Sequence, residues 1–298
     1  MQEKKGLVSI ILNCFNGEAY LQEAINSVIH QTYNNWELIF WDNQSTDKSK
    51  KILNSFKLNK LKYFYSEKHT SLYEARNLAE KKSNGEYIAF IDADDIWEKN
   101  KLEQQIKLFE NKLVGVVYGN LWIYNEKLKK KKIFSRKNLI KGNINNKILS
   151  NYKIGIISSV IRKDVLTNNN IYFDRKYNHI GDFDLFFKLS RICQFDAIQT
   201  PVATYRIHGN NLSLKNSEKE ISELKSWFRE NQFLLNLEQK KHLRNRILSR
   251  EFINIKLNKS FIETFKFFFN HNSLWKHIKN FLLLIIPLFF LKKFMWYK

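Results

Sequence analysis

Apolar and polar positions follow two rhythms over the first 120 residues. Short, largely apolar runs read as strands: Val8 to Leu12, Trp36 to Trp41, Leu61 to Tyr65, Tyr87 to Ile91 and Leu113 to Tyr118. Between them apolar residues recur at helical spacing, as in Leu21, Ala24, Ile25, Val28 and Ile29. Thr46 or Asp47 is placed to cap the second helix. Leu72 to Lys82 reads as a third helix with Gly85 positioned to end it, and Leu102, Ile106 and Phe109 mark a fourth. This alternation predicts an α/β fold, a single doubly wound and mainly parallel sheet. The rhythm changes after Asn120. Ile154 to Ile161 and Val202 to Ile207 read as strands around a helix from about Asp182 to Ile192, and beyond Ser213 the pattern is helical. The expected organisation is one domain over residues 1–215, with halves 1–120 and 121–215, and a helical extension over 216–298.

The densest chemistry lies where one apolar run stops. Ile88 to Ile91 gives way to Asp92-Ala93-Asp94-Asp95, three carboxylates within four residues. The carboxyl ends of strands in open α/β sheets face the ligand crevice. Carboxylates crowded there repel one another unless a cation intervenes, and hard cations such as Mg²⁺ or Mn²⁺ take one or two of them together with substrate phosphates. The same Asp-Asp pair can also cap a following helix. Asp42 closes the second strand and heads Asp42-Asn43-Gln44-Ser45-Thr46-Asp47, a loop whose first carboxylate can accept from a ribose hydroxyl or a base N–H. Asp182 shares a helix face with Leu185, Phe186 and Leu189, which predicts a carboxylate turned inward at a helix N-terminus, with Asp184 pointing elsewhere; capping is the competing role. Tyr205-Arg206-Ile207-His208 ends the last strand and offers a cation for a diphosphate and an imidazole for a metal. No Gly-x-Gly-x-x-Gly and no Walker lysine is present.

These segments together resemble the family 2 glycosyltransferases of the glycosyltransferase-A fold. Val8 to Asn16 is similar to their opening strand, with Asn13 where proline is common. Tyr20 to Tyr33 resembles their first helix and its Gln-Thr ending. Asp42 to Asp47 resembles their Asp-Asp-Gly-Ser-Thr-Asp loop, with Asn43 and Gln44 as departures. Ala75-Arg76-Asn77 and Gly85-Glu86-Tyr87 also match. Gly181-Asp182 resembles the Glu-Asp segment carrying the catalytic base, with Gly181 in place of Glu, and Tyr205 to Ser213 resembles the end of the catalytic domain. The resemblance implies inverting transfer of a sugar from a nucleotide-diphosphate sugar, UDP-linked, to an acceptor hydroxyl. It implies Mn²⁺ or Mg²⁺ on Asp94 and Asp95 with His208, and Asp182 as base. Cys14, Asn16, Asp42, Arg76, Asp92, Asp94 and Arg206 would surround the donor, with Asp92 supporting its neighbours. A non-catalytic nucleotide-sugar-binding protein is the alternative.

Composition adds a partner. The 298 residues carry a net charge of +21, a surface drawn to polyanions. No nucleic-acid motif accompanies it, so nucleic acid is not an expected partner. Lys127 to Lys141 holds eight Lys or Arg and no acid, which reads as a solvated loop or a surface for phosphorylated lipid. The tail from Phe261 sets Phe265 to Phe269, Leu274, Trp275 and the run Phe281 to Leu291 among Lys266, Lys276, Lys279, Lys292 and Lys293. Aromatics flanked by lysines fit an anionic membrane surface, with packing as a helical subdomain the competing reading. The run of 11 residues is shorter than the roughly 20 a spanning helix needs. Cys14 and Cys193 are isolated, which suits a reducing compartment, and Cys14 in an apolar strand reads first as a buried thiol. With no secretory leader apparent, the expectation is a cytoplasmic protein peripheral to the inner face of the cell membrane. Its acceptor would be a glycan or lipid-linked glycan for bacterial surface polysaccharide.

Overall fold

The computed structural model of the chain describes residues 4–211 and 216–270. The chain divides into two compact units, Met1–His208 and Gly209–Lys298. In the first, β1 (Lys4–Cys14), α1 (Leu21–Ile29), β2 (Trp36–Asp42), α2 (Ser49–Asn54), β3 (Leu61–Tyr65), α3 (Leu72–Glu80) and β4 (Gly85–Asp92) follow the predicted alternation. After them come β5 (Ile96–Trp97), α4 (Lys101–Lys107), β6 (Val114–Asn125), β7 (Lys130–Ile133), β8 (Val160–Arg162), α5 (Lys163–Asn168), α6 (Gly181–Ser190) and β9 (Gln194–Ile207). The strands form one sheet in the order β3-β2-β1-β4-β8-β6-β9-β5, with β7 paired to β6.

The block β3-β2-β1-β4 is parallel throughout. Its central strands are enclosed on both faces, which is why they read as continuous apolar runs: Ile10, Ile11, Leu12, Ile39, Phe40, Ile88 and Ala89 are all buried. The short β8 runs antiparallel to both β4 and β6, and β6 then pairs with β9 in parallel. The sheet is therefore mixed beyond β4. Register brings Cys14 beside Asp42 and Asn13 beside Asp92, so the ends of β1, β2 and β4 finish level.

Several local expectations shift. Gly85 does not end α3 but begins β4. A Cβ there would sit 2.6 Å from the Leu7 carbonyl oxygen and 2.7 Å from the Ser9 nitrogen, so two strand backbones meet at the only residue without one. Neither Thr46 nor Asp47 is the N-cap of α2; Lys48 is, while Asp47 Oδ1 accepts from the Ser49 N–H at 2.9 Å. Part of the basic run, Lys130–Ile133, is not a loop but an edge strand paired to the far end of β6. Lysines on an edge strand discourage pairing with another chain.

In the second unit α7 (Ser217–Asn231) and α8 (Leu237–Asn258) bury Ile221, Leu224, Trp227, Leu243, Ile247 and Phe252. Asn236 and Gln239 form a reciprocal capping box that starts α8. A last helix, α9, spans Phe261–Asn270. Among the described residues no helix is long and apolar enough to cross a membrane. Leu212, Ser213 and the tail from Leu274 through the Phe281 to Leu291 run lie outside the described residues.

Candidate active site

Two clusters form at the carboxyl ends of the strands. The first is built on β1 and β2. The Asn43 N–H donates to the Cys14 carbonyl at 2.8 Å, and Asp42 Oδ1 accepts from the Ser45 N–H at 2.7 Å. Asp42 Oδ2 accepts from the Tyr63 hydroxyl at 3.0 Å, so this 1 % exposed carboxylate shapes its own loop instead of standing free in the crevice. Asn16 takes a positive φ of 53°, which asparagine tolerates better than most residues, and its Oδ1 accepts from the Thr46 N–H at 2.8 Å. The Cys14 thiol is buried against Ser49 and Ser45, and burial pushes it up from the ordinary thiol range. The two departures in this loop have structural work. Asn43 accepts from the Thr70 N–H at 3.2 Å and donates to the Thr70 carbonyl at 2.8 Å, and Gln44 donates to the Glu67 carbonyl at 3.0 Å. Both tie the β2 loop to the segment before α3. Phe15, at 53 % exposure, packs edge-on to His69 with ring centroids 4.4 Å apart. Sequence reasoning passed over Phe15; the signal was an aromatic residue in a polar loop directly after a strand.

The second cluster joins β4, α3 and β9. Asp92 Oδ1 pairs with the Arg76 guanidinium at 2.5 Å, and Arg76 is itself buried near the rings of Tyr73, Phe90 and Phe173. Burial opposes the Arg76 charge, but Asp92, with Tyr73 and Asp182, outweighs it and raises the guanidinium. Arg76 thus acts through Asp92 rather than reaching into the crevice. His208 Nε2 lies 2.8 Å from Asp94 Oδ2, with both side chains partly open. Burial, then the Asp92 charge, pushes the Asp94 carboxyl up, and His208 works against that. Asp95 differs from the expected ligand facing the crevice. It is wholly enclosed, its Oδ1 accepts the Arg206 backbone N–H at 2.9 Å, and its Oδ2 has no hydrogen-bond partner among the described residues. Burial, then Asp94 and Asp92, raises it well above the ordinary range. Arg206 also donates to the Asp94 carbonyl at 3.0 Å and to Glu23 at 2.7 Å. The end of β9 is thereby pinned to the acidic turn.

Tyr20, Glu23 and Glu126 complete this cluster, and sequence reasoning missed all three. The Tyr20 hydroxyl donates to Glu126 at 2.6 Å, its ring lies 4.9 Å from that of His208, and the Arg206 guanidinium sits 4.6 Å from its centroid. Burial and the bond to Glu126 push the phenol up to about 12. Contacts across more than 100 residues leave no local pattern to read.

Asp182 is the second residue of α6 and stands half-buried, its Oδ1 3.5 Å from the Tyr73 hydroxyl. Arg76 feels both Asp92 and Asp182, which links this carboxylate to the second cluster. Asp184 does not point away from the interior, contrary to what the helix-face spacing predicts. Helix α6 is buried on nearly every side, so Asp184 is the more enclosed carboxylate, at 3 % exposure. Its charge is taken by Lys188 at 2.6 Å. Asp182 does not cap α6 either: Ile180 occupies that position.

The mixed α/β sheet, with its acidic turn at the end of β4, has the glycosyltransferase-A type of fold. The glycosyl transferase family 2 model matches residues 9–168, and the chain belongs to glycosyltransferase family 2. It is 32 % identical over 217 residues to the Escherichia coli protein WfgD, named UDP-Glc:alpha-D-GlcNAc-diphosphoundecaprenol beta-1,3-glucosyltransferase, across 72 % of this chain and 82 % of that one. It is 36 % identical over 109 residues to the putative teichuronic acid biosynthesis glycosyltransferase TuaG of Bacillus subtilis, across 36 % of this chain and 43 % of that one. Among solved structures, S. aureus TarS 1-349 in complex with UDP-GlcNAc superposes with a TM-score of 0.62 at 18 % identity, covering 82 % of this chain and 72 % of that one. The mannosyltransferase PcManGT from Pyrobaculum calidifontis, in complex with GDP-Man and Mn²⁺, gives 0.57 at 14 % identity, covering 93 % and 82 %. These two likenesses concern the fold.

Proposed function

We propose that this enzyme transfers a sugar, with inversion, from a UDP-sugar to a hydroxyl of a lipid-linked glycan. The observation that carries the reading is the level set of strand ends, where Asp94 pairs with His208 and Asp92 pairs with Arg76, the buried guanidinium that also feels Asp182. The uridine would lie against the β1–β2 loop that Cys14, Asn16 and Asp42 hold in shape, with the open face of Phe15 available to stack on the base. Asp182 accepts the proton of the acceptor hydroxyl as that oxygen bonds to the anomeric carbon. The bond from that carbon to the diphosphate breaks on the opposite face, and UDP departs. A single displacement of this kind inverts the anomeric centre. Arg206 keeps the end of β9, and His208 with it, against the acidic turn.

The donor set fits a divalent cation. Asp94 offers a carboxylate oxygen and His208 an imidazole nitrogen side by side. Among the described residues no group of three or more ligating side chains converges, so the expected trio with Asp95 does not form and diphosphate oxygens would have to complete the shell. Asp94 and His208 would hold Mn²⁺ or Mg²⁺, and Asp95 would position them from beneath. When bound, the ion neutralises charge building on the departing diphosphate. The lipid-linked acceptor is supported by the name of the Escherichia coli relative, and peripheral attachment to an anionic membrane by the charge of the chain. The test is a panel of UDP-sugars with a GlcNAc-diphosphate lipid, reading UDP release and glycolipid mass. One UDP-sugar should extend the lipid; binding of UDP without extension by any donor would favour the non-catalytic alternative.

A further inference from the structure

Residue 181 is glycine, and the space a side chain would need there is already filled. A Cβ on Gly181 would lie 2.6 Å from Cδ2 and Cε2 of Tyr73 and 2.7 Å from its Cγ. The Tyr73 ring is buried, stacked on Phe173 at 5.3 Å and 23°, with the Arg76 guanidinium 5.6 Å from its centroid. It is therefore fixed by its surroundings and lies against the first residue of α6. Its hydroxyl reaches Asp182 Oδ1 at 3.5 Å, the long end of hydrogen-bond range. Burial, then the Asp182 charge, raises the Tyr73 phenol well above its ordinary range, so it keeps its proton and acts as a donor.

We propose that Tyr73 is the positioning residue for Asp182: its ring occupies the side-chain space at position 181 and its hydroxyl aims the carboxylate at the acceptor. This rests on the reading of Asp182 as the base. Carboxylate aim matters most in the transition state, so the effect belongs in kcat and not in nucleotide affinity. Tyr73→Phe keeps the ring and removes only the donor. Turnover of the UDP-sugar found by the panel should fall about ten-fold, the scale of one lost hydrogen bond of about 1.4 kcal/mol. Affinity for UDP with Mn²⁺ and the melting midpoint should stay at wild-type values. In an Asp182→Asn background, Tyr73→Phe should cost nothing further, because the two groups act as a unit. Unchanged kcat in Tyr73→Phe, a parallel loss of UDP affinity, or a full further ten-fold loss in the double variant would overturn the proposal. Native turnover in Asp182→Asn alone would instead overturn the base reading on which it rests.

Discussion

Asp94 and Asp95 are adjacent in sequence yet meet different surroundings, and the difference predicts different phenotypes. Asp94 is partly open and touches His208; Asp95 is enclosed and holds the Arg206 N–H. Asp94→Asn should lower Mn²⁺-dependent UDP affinity at least ten-fold, read by calorimetry, with little change in melting midpoint. Asp95→Ala should instead destabilise the fold by about 1–3 kcal/mol, because it strands a buried N–H. Equal losses of affinity at equal stability would mean that both carboxylates serve the nucleotide directly. Both side chains were legible as strand-end carboxylates, because the polar switch after a buried run is a local signal. Which one faces the crevice was not, because it depends on β9 folding back from more than 100 residues away.

At the level of elements, the parallel block was readable because its central strands are enclosed on both faces and each helix carries an apolar stripe. The failures share a physical cause. β5 is two residues long, β7 is lysine-rich, and β8 is reduced to Val160–Arg162; each is defined by its partner strand, not by its own pattern. β2 shows a charged residue carried inside such a strand. Glu37 is buried and accepts from Ser9 at 2.6 Å, Lys62 at 2.6 Å and the Asn84 N–H at 2.7 Å. Burial alone would raise its carboxyl, but Lys62, Ser9 and Asn84 prevail and hold it below the ordinary range. A carboxyl lower in the folded state than in the unfolded chain stabilises above the unfolded value of about 4.3, and that contribution fades as pH falls through the folded value. Glu37→Gln should therefore cost about 1–3 kcal/mol at neutral pH, and the gap in urea midpoints should close as the pH drops below about 4. A gap independent of pH would assign the loss to shape rather than to charge.

For the whole molecule, the excess of +21 sets how it meets its surroundings. Each basic residue close to an anionic leaflet contributes about 1 kcal/mol, an attraction that salt screens. The full chain should float with anionic vesicles at low ionic strength, stay behind with neutral ones, and be released by added salt. Sedimentation with no vesicle fraction under any of these conditions would remove the membrane from the account. Chemistry and attachment are separable, so the central claim rests on the strand-end site alone. It is tested most directly by the transfer rate of Asp182→Asn, measured beside its affinity for UDP. Turnover should fall by about 10²-fold or more, the usual scale of general-base catalysis, at native UDP affinity. Turnover near wild type in Asp182→Asn would contradict it.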